Sequence, residues 1–555
     1  MFDEEQNVVD TDVLIVGMGP TGIVLAALLG QAGIDVVVAD RLPGLFPLPR
    51  AIGLDSEVMR VAQELGIAEQ LQPHVIPYAP TEYHGVDGQI IKRLDSPPPP
   101  HQFGWPSMFA FNQPVFEEVL RARVAQLPSV RVRLGATVDS VGQDDQSVWA
   151  DVHTDDGAAP LRYRGRYLVA CDGGASRIRQ GLGISMTDLG FHEGFLVVDA
   201  VIDEPALAKL PSSNIQYCNP KRPSTYVVLP DRHRRWEISL EPGELAPGPV
   251  SDDEVWPYLA RWIQPGEARI WRSASYEFHA LIADDWRQKR ILLAGDAAHM
   301  TPPFMAQGLA QGVRDARNLS WKLVEILRQR SAADSLLDSY QEERRPHVVS
   351  TTERTIELGR IICERDEDAA RQRDRTLVGS SGAAVPVTIR TSLLPNLSGG
   401  LIASSPAAGT RFPQPLVRRD DRWERLDDYT GGGFRVLVDA TISTAEMLDL
   451  QLSADALDAR VVRVLGATGG ADDDKNAVTE QDDLLTAWFG ELGQALVVVR
   501  PDHYVYGTAS NANEGRALIN GLVQSLRRAR TSDSARCTPS SFPHRTLTSP
   551  HLESP

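Results

Sequence analysis

The stretch DVLIVGMGPTGIVLAALLGQAGIDVVVAD, residues 12–40, decides the architecture of the chain. It reads as a strand (VLIV), a glycine turn (Gly17-Met18-Gly19-Pro20-Thr21-Gly22), an apolar helix stopped by Gly33, and a second apolar strand ending at Asp40. Continuous β-branched runs on either side of a helix are what a parallel sheet covered on both faces requires. The turn matches GxGxxG where the pattern has meaning, after a strand and opening a helix. Its glycines allow a tight turn and the close approach of a pyrophosphate, whose charge then sits at the helix N-terminus. Asp40 follows at about the twenty-residue spacing expected of an acceptor for a ribose hydroxyl. A dinucleotide site follows from this combination. NAD and FAD share the turn, so the turn alone does not choose between them.

Working outward, a capped helix is expected from Asp55 or Ser56 to Gly66 and another from Gln113 to Leu127, with the irregular run SPPPP (96–100) between them. Alternating short strands from Val130 to Tyr167 read as an antiparallel addition to the nucleotide sheet. From Phe191 to His279 aromatic residues recur in strand-like alternation, which predicts a separate β-rich layer. RILLAGDAAH (290–299) then resumes the buried sheet, and Leu309, Val313, Ala316, Leu323 and Leu327 share one face of a long helix. The expected division is a nucleotide-binding domain in two parts, 1–190 and 285–365, interrupted by the β layer at 191–284. A connection at 366–410, a small α/β domain at 411–530 and a disordered Ser/Thr/Pro-rich tail at 531–555 complete it. A chain of 555 residues exceeds what one core usually holds.

The net charge of −18 repels nucleic acid and anionic membrane and favours solubility. Cys171, Cys218, Cys363 and Cys537 are far apart, with no CxxC pair and no His/Cys cluster at metal-ligand spacing, so neither disulfides nor a metal are expected. The acidic start MFDEEQNVVD lacks the features of a secretory signal, and apolar runs such as Ile23–Leu29 are too short to span a bilayer. The expectation is a soluble cytoplasmic protein without a nucleic-acid or membrane partner.

Two further patterns choose the cofactor. Asp172-Gly173-Gly174-Ala175-Ser176-Arg177-Ile178-Arg179 fits DGxxSxxR, and Gly295-Asp296-Ala297-Ala298-His299 ends an apolar strand just before Pro302-Pro303 and Gln307-Gly308. An acidic residue beside glycine at a buried strand end can reach a ribityl hydroxyl, while the next helix N-terminus faces a flavin pyrimidine edge. In this order the three patterns resemble the class A flavoprotein aromatic hydroxylases, the group that includes p-hydroxybenzoate hydroxylase and phenol hydroxylase. The resemblance runs from about Asp12 to Arg345, ending in DARNLSWKL (315–323) and YQEERRPH (340–347). PRAIGLDSE (49–57), FGWP (103–106) and NQPVFEEVL (112–120) look closest to the 3-(3-hydroxyphenyl)propionate hydroxylases within it. The C-terminal unit is similar to the thioredoxin-like domain of the longer members, without redox cysteines, and is expected to be structural.

The resemblance implies an α/β fold with a Rossmann-like FAD-binding domain of the p-hydroxybenzoate hydroxylase type, a β-rich substrate layer and a thioredoxin-like C-terminal domain. It places FAD against Gly17, Gly19, Pro20, Thr21, Gly22, Asp40, Arg41, Arg50, Gln113, Asp172, Gly295, Asp296, Gly308 and Leu309. Ala310 stands where the family pattern GGQGxN often carries a polar side chain, so either flavin contact there comes from the backbone or the flavin sits slightly differently. The implied reaction takes a hydride from NADH or NADPH, adds O2 at the flavin C4a to give a hydroperoxide, and hydroxylates a phenolic ring ortho or para to its hydroxyl. A substrate like 3-(3-hydroxyphenyl)propionate and a homodimer are the further expectations. The backbone of Pro303 would line the oxygen-transfer site.

His299 is the candidate general base, with a loop-fixing role as the other reading. Tyr217, Arg222, Tyr226 and Trp236 are the substrate candidates of the β layer, Arg222 as a fork for a substrate carboxylate. Two alternatives share part of this evidence. A tailoring hydroxylase for a polycyclic or polyketide phenol would keep every cofactor motif, and a non-catalytic nucleotide-binding interaction protein would need only the first.

Overall fold

Val13–Val16 lies at the centre of a six-stranded sheet, pairing in parallel with Val36–Asp40 on one side and Tyr167–Ala170 on the other. Ile291–Leu293 pairs in parallel outside Tyr167–Ala170, and Val130–Leu134 does the same outside Val36–Asp40. The computed structural model describes residues 8–154, 160–328, 333–378, 385, 387–419, 422–468, 475–527 and 545–546. Val13, Leu14, Ile15 and Val36 to Val38 are buried, as a parallel strand covered on both faces requires. The covering helices are Pro20–Gln31 and the twenty-residue Gly308–Leu327. The helix at 56 spans Ser56–Glu64, with Asp55 as N-cap accepting from the N–H groups of Glu57 and Val58, and the next spans Gln113–Ala125.

The strands after Val130 divide. Val130–Leu134 joins the nucleotide sheet in parallel, whereas Ala136–Gln143, Val148–Thr154 and Leu161–Gly165 form their own antiparallel sheet, which Val8–Asp10 extends. The half-buried alternation along 136–154 suits a sheet with one wet face, and an addition to the doubly covered sheet would need continuous burial.

The β layer is a ten-stranded sheet built around two long antiparallel strands, Met186–Ile202 and Ala268–Ala283. Its order continues through His233–Ser239, Ser224–Val228 and Asn214–Tyr217 to Thr81–His84, Ile90–Asp95 and Val387–Ile389. Four strands thus come from outside the stretch in which the sequence pattern placed the layer, the fourth being His299–Met300, which pairs with Ala268–Ala283. They are short, and proline-rich segments flank them.

Beyond 409 a seven-stranded sheet carries Arg435–Val438, Arg460–Leu465 and Leu496–Val499 at its centre, with helices Thr444–Ala454, Leu484–Leu492 and Ala512–Arg527. This unit docks through buried charge. Arg500 pairs with Glu343 (2.6 Å) and Asp502 (2.6 Å), and Lys322 pairs with the same Glu343 (2.8 Å), all four side chains at most 2 % exposed. Asn318 donates to both Glu343 and Asp502. The motif residues of DARNLSWKL and YQEERRPH therefore clamp the C-terminal unit to the long helices. Cys171, Cys218 and Cys363 are free thiols, and nearly all of the 531–555 tail lies outside the described residues. No described helix is long and apolar enough to cross a membrane.

Removing one member of a buried ion network strands its partners, which typically costs about 3–5 kcal/mol. Glu343→Ala is expected to lower the unfolding free energy in urea by that amount, because Lys322 and Arg500 both lose their carboxylate. Glu357→Ala, which removes only the exposed pair with Arg354, is expected to cost less than about 1 kcal/mol.

Candidate active site between the nucleotide sheet and the β layer

Three motif loops meet where neighbouring parallel strands end. Gly17 adopts φ +101°, and a Cβ there would lie 2.2 Å from the carbonyl oxygen of Cys171, which precedes the DG pair. A Cβ on Gly22 would lie 2.0 Å from the Gly17 carbonyl oxygen. Thr21 wedges the third loop, since a Cβ on Gly295 or Gly312 would come within 2.4 or 2.1 Å of its Oγ1. These glycines let the GxGxxG turn, the DG loop, the GD loop and the long helix close on one another. Gly19 and Gly308 differ. Gly19 caps the Pro20–Gln31 helix and Gly308 opens the Gly308–Leu327 helix, and a Cβ on either meets nothing within 4 Å. Two helix N-termini thus face open space, as a pyrophosphate and a flavin edge require.

The acidic residues border the same cleft. Asp40 accepts from the backbone N–H groups of Met18 and Leu42, which fixes the turn and leaves lone pairs free. Asp172 Oδ1 is buried and has no hydrogen-bond partner among the described residues, and burial pushes its carboxyl up. Asp296 is accessible and yet ringed by protein, so burial raises its carboxyl as well, as expected at the floor of a deep cleft. Gln113 is engaged in holding the wall. Its Oε1 accepts from Ala51 N (2.6 Å) and Arg50 N (3.2 Å), and its Nε2 donates to Glu117. Arg41 and Arg50 are exposed, Arg50 with its guanidinium 4.2 Å from the Phe46 ring centroid.

Several motif residues are struts. Arg179 of DGxxSxxR donates to the carbonyls of Gly174 and Ala297, tying the DG loop to the GD loop. Asp315 accepts from Gly295 N (3.0 Å), His299 Nε2 (2.7 Å) and Arg344 Nε (2.8 Å). His299 is buried, stacked on Trp286 at 5.3 Å, and takes the loop-fixing role rather than facing the cleft. Ala310 is fully buried in the helix core.

A second cavity opens between the β layer and the Pro303–Met305 turn. Pro303 lines it, as do Gln216, Thr225, Val227 and Glu237 from the β layer, Tyr78, and Arg390 from the segment after Val387–Ile389. Residues on one strand alternate between faces. Tyr217, Tyr226 and Trp236 therefore point the other way, into a core capped by Val255 and Leu259 of the Asp252–Leu259 helix. Tyr226 there donates to Pro211 O (3.0 Å). Arg222 is committed to Glu244 (2.7 Å) and Ser239 O (3.0 Å). The four substrate candidates of the sequence pattern are thus one residue out of phase with the cavity or paired elsewhere. Their polar strand neighbours line it, and the alternation Arg235-Trp236-Glu237-Ile238 was the signal that could have found them.

Comparison with known proteins agrees with this geometry. Residues 10–355 match the family model of the FAD binding domain, and residues 409–524 match the HcaD C-terminal domain. A probable NADH-specific resorcinol 4-hydroxylase of Rhodococcus jostii (strain RHA1) is 38% identical over 93% of this chain and 95% of its own length. A 3-(3-hydroxy-phenyl)propionate/3-hydroxycinnamic acid hydroxylase of Mycobacterium sp. (strain JLS) is 33% identical over 94% of this chain and 93% of its own. The flavin-dependent monooxygenase PieE, solved with FAD and substrate, shares the fold with a TM-score of 0.77 at 20% identity, covering 93% of this chain and 99% of that one. Aklavinone-11 hydroxylase does so with a TM-score of 0.71 at 22% identity, covering 95% and 99%.

The residues present fit FAD, with an orphaned Asp172 oxygen, two open helix N-termini and glycines that no side chain could replace. Gly17→Ala forces a methyl against the Cys171 carbonyl in a left-handed conformation and is expected to lower the melting temperature and abolish FAD uptake. Gly19→Ala meets no protein atom. It is expected to leave the apoprotein's melting temperature unchanged while weakening FAD at least about tenfold in a fluorescence titration, about 1.4 kcal/mol. Motif order, cleft geometry and sequence similarity along nearly the whole length agree that the chain belongs to the FAD binding domain family, in a form that carries an HcaD C-terminal domain.

Proposed function

We propose that the chain is an FAD- and NADH-dependent monooxygenase that adds a hydroxyl group to a one-ring phenol, ortho or para to the hydroxyl already present. The observation that carries this reading is the cavity between the Pro303 turn and the polar face of the β layer. The names of the relatives that match along nearly the whole chain, a resorcinol hydroxylase and a 3-(3-hydroxy-phenyl)propionate hydroxylase, favour a single substituted ring over a polyketide. Resorcinol and 3-(3-hydroxyphenyl)propionate are the candidate substrates, from the names of the relatives, and NADH is the candidate reductant on the same ground.

FAD, when bound, supplies hydride acceptance and oxygen activation. The residues of the chain bind and orient. Gly17, Gly19, Pro20, Thr21 and Gly22 would hold the pyrophosphate, with Arg50 reaching it from outside. Asp40 and Arg41 would take the adenosine end, and Asp172 and Gln113 the ribityl region. Gly295, Asp296, Gly308 and Leu309 would flank the ring system, and the Pro303 carbonyl would border the point of oxygen transfer. Enclosure by Phe304 and Met305, both mostly buried, keeps water from that point. His299 serves as a strut.

The test is a panel of phenols, including resorcinol, 3-(3-hydroxyphenyl)propionate and a polycyclic phenol, with NADH consumption and product followed together. The expected result is a yellow protein whose NADH oxidation quickens with a one-ring phenol and yields one additional ring hydroxyl. NADH oxidation without product for every one-ring phenol, or turnover of the polycyclic phenol alone, would overturn the reading.

A further inference from the structure

Glu237 is a carboxyl in the cavity wall that its neighbours hold only loosely. It is 5 % exposed, and Arg235 Nη1 stands 3.9 Å from its Oε1. Arg235 is spent elsewhere, on Asp199 and on the carbonyls of Pro49 and Arg50. Arg272 is spent on Pro49 O and Tyr276. Among the described residues nothing donates a hydrogen bond to the Glu237 carboxyl. Arg390 lines the same cavity without a carboxylate partner among the described residues. Its Nη2 donates to Thr81 Oγ1 (2.6 Å), its guanidinium lies 4.9 Å from the Tyr78 ring centroid, and its Nε is buried without an acceptor. Tyr78 feels both groups, and burial pushes its phenol up to about 12. An enclosed acceptor without a donor and an enclosed cation without an anion are each costly, and both border one cavity.

We propose that Glu237 and Arg390 are the two polar anchors of the substrate: the Glu237 carboxylate accepts the hydrogen bond of the ring hydroxyl, and Arg390 donates to the ring's second polar substituent, a hydroxyl or a carboxylate. The inference rests on the function proposed above. In the reaction, the ring O–H bond breaks with its electron pair left on oxygen, and the proton passes to Glu237. The charge raises electron density at the ortho and para carbons, where oxygen is added. The oxygenated carbon then gives up its hydrogen as a proton, which the oxygen left behind on the bound cofactor would take up, while Glu237 returns its proton to the ring oxygen and ends as it began. Burial raises the Glu237 carboxyl, with Arg235 opposing and Asp199 adding to that effect and Arg272 opposing it. This brings the carboxyl closer to a phenol in acidity and eases the transfer. Arg390 and Tyr78 are the other ionisable groups lining the cavity. The acceptor works only when ionised, so phenol binding weakens as pH falls through this raised value.

The experiment uses the FAD-loaded enzyme with resorcinol and 3-(3-hydroxyphenyl)propionate as probes, their Kd read from the flavin absorbance spectrum. Glu237→Gln, with flavin content unchanged, is expected to raise both Kd values about tenfold or more and to remove the acid limb of the kcat/KM profile. Arg390→Met is expected to weaken the propionate more than resorcinol, with partial recovery in Arg390→Lys. If Glu237→Gln fails to fold, the wild type still decides, through a resorcinol Kd that rises towards acid pH. A flat wild-type Kd, or a Glu237→Gln enzyme that matches wild type while wild type hydroxylates resorcinol, sinks this inference alone. A wild type that hydroxylates no phenol sinks the proposed function with it.

Discussion

Asp199 is fully buried in the β layer, and its carboxylate organises the junction between that layer and the nucleotide domain. His233 and Arg235 bond to it directly, and Arg272 stands 3.8 Å away. Burial alone would raise this carboxyl, but Arg235 and His233 hold it below its ordinary value. With their charge balanced in this way, Arg235 and Arg272 can extend across the interface and donate to the carbonyls of Pro49 and Arg50. Gln113 grips the same segment from the other side, through the N–H groups of Arg50 and Ala51. The segment is thus gripped by both domains, and Ile52, directly after it, lines the cavity beside the Pro303 turn.

The position of Glu237 follows from that junction. It lies two residues after Arg235 on one strand, so both side chains leave the same face of the sheet. Because Arg235 is committed to Asp199 and the Pro49–Arg50 carbonyls, the cavity keeps a carboxyl that is not neutralised in the resting protein. In the network of Lys322, Glu343, Arg500 and Asp502, by contrast, every charge has an opposite partner. There, buried charge holds a domain in place; beside the Pro303 turn a carboxyl and a guanidinium border a cavity.

Local pattern carried the nucleotide domain. The 12–40 stretch contains strand, turn, helix and partner strand within one short window, and two of the turn's three glycines, Gly17 and Gly22, have a steric reason visible against Cys171 and Gly17. The DG and GD loops were legible for the same reason. What escaped was set by distance along the chain. Thr81–His84 and Ile90–Asp95 belong to a sheet whose other strands begin about a hundred residues later, by the numbering of Met186–Ile202. Arg390 enters the cavity from a segment that reads as a connection. Asp315 and Arg344 were quoted only as parts of motifs, because their shared task with Gly295 and His299 appears only when the long helices pack. In the β layer the choice of face failed. The aromatic candidates Tyr217, Tyr226 and Trp236 build the core, whereas Gln216, Thr225 and Glu237, each one residue away, line the cavity. A buried polar face on an alternating strand was the more informative signal.

The central claim is that this chain inserts oxygen from O2 into a phenolic ring. The most direct measurement is turnover with NADH and resorcinol under an atmosphere of 18O2, with mass spectrometry of the aromatic product. The account predicts a product one oxygen heavier than the substrate, with that oxygen labelled, and no label when 18O is supplied only in water. A product labelled from water, or NADH consumed to hydrogen peroxide with every phenol returned unchanged, would contradict it.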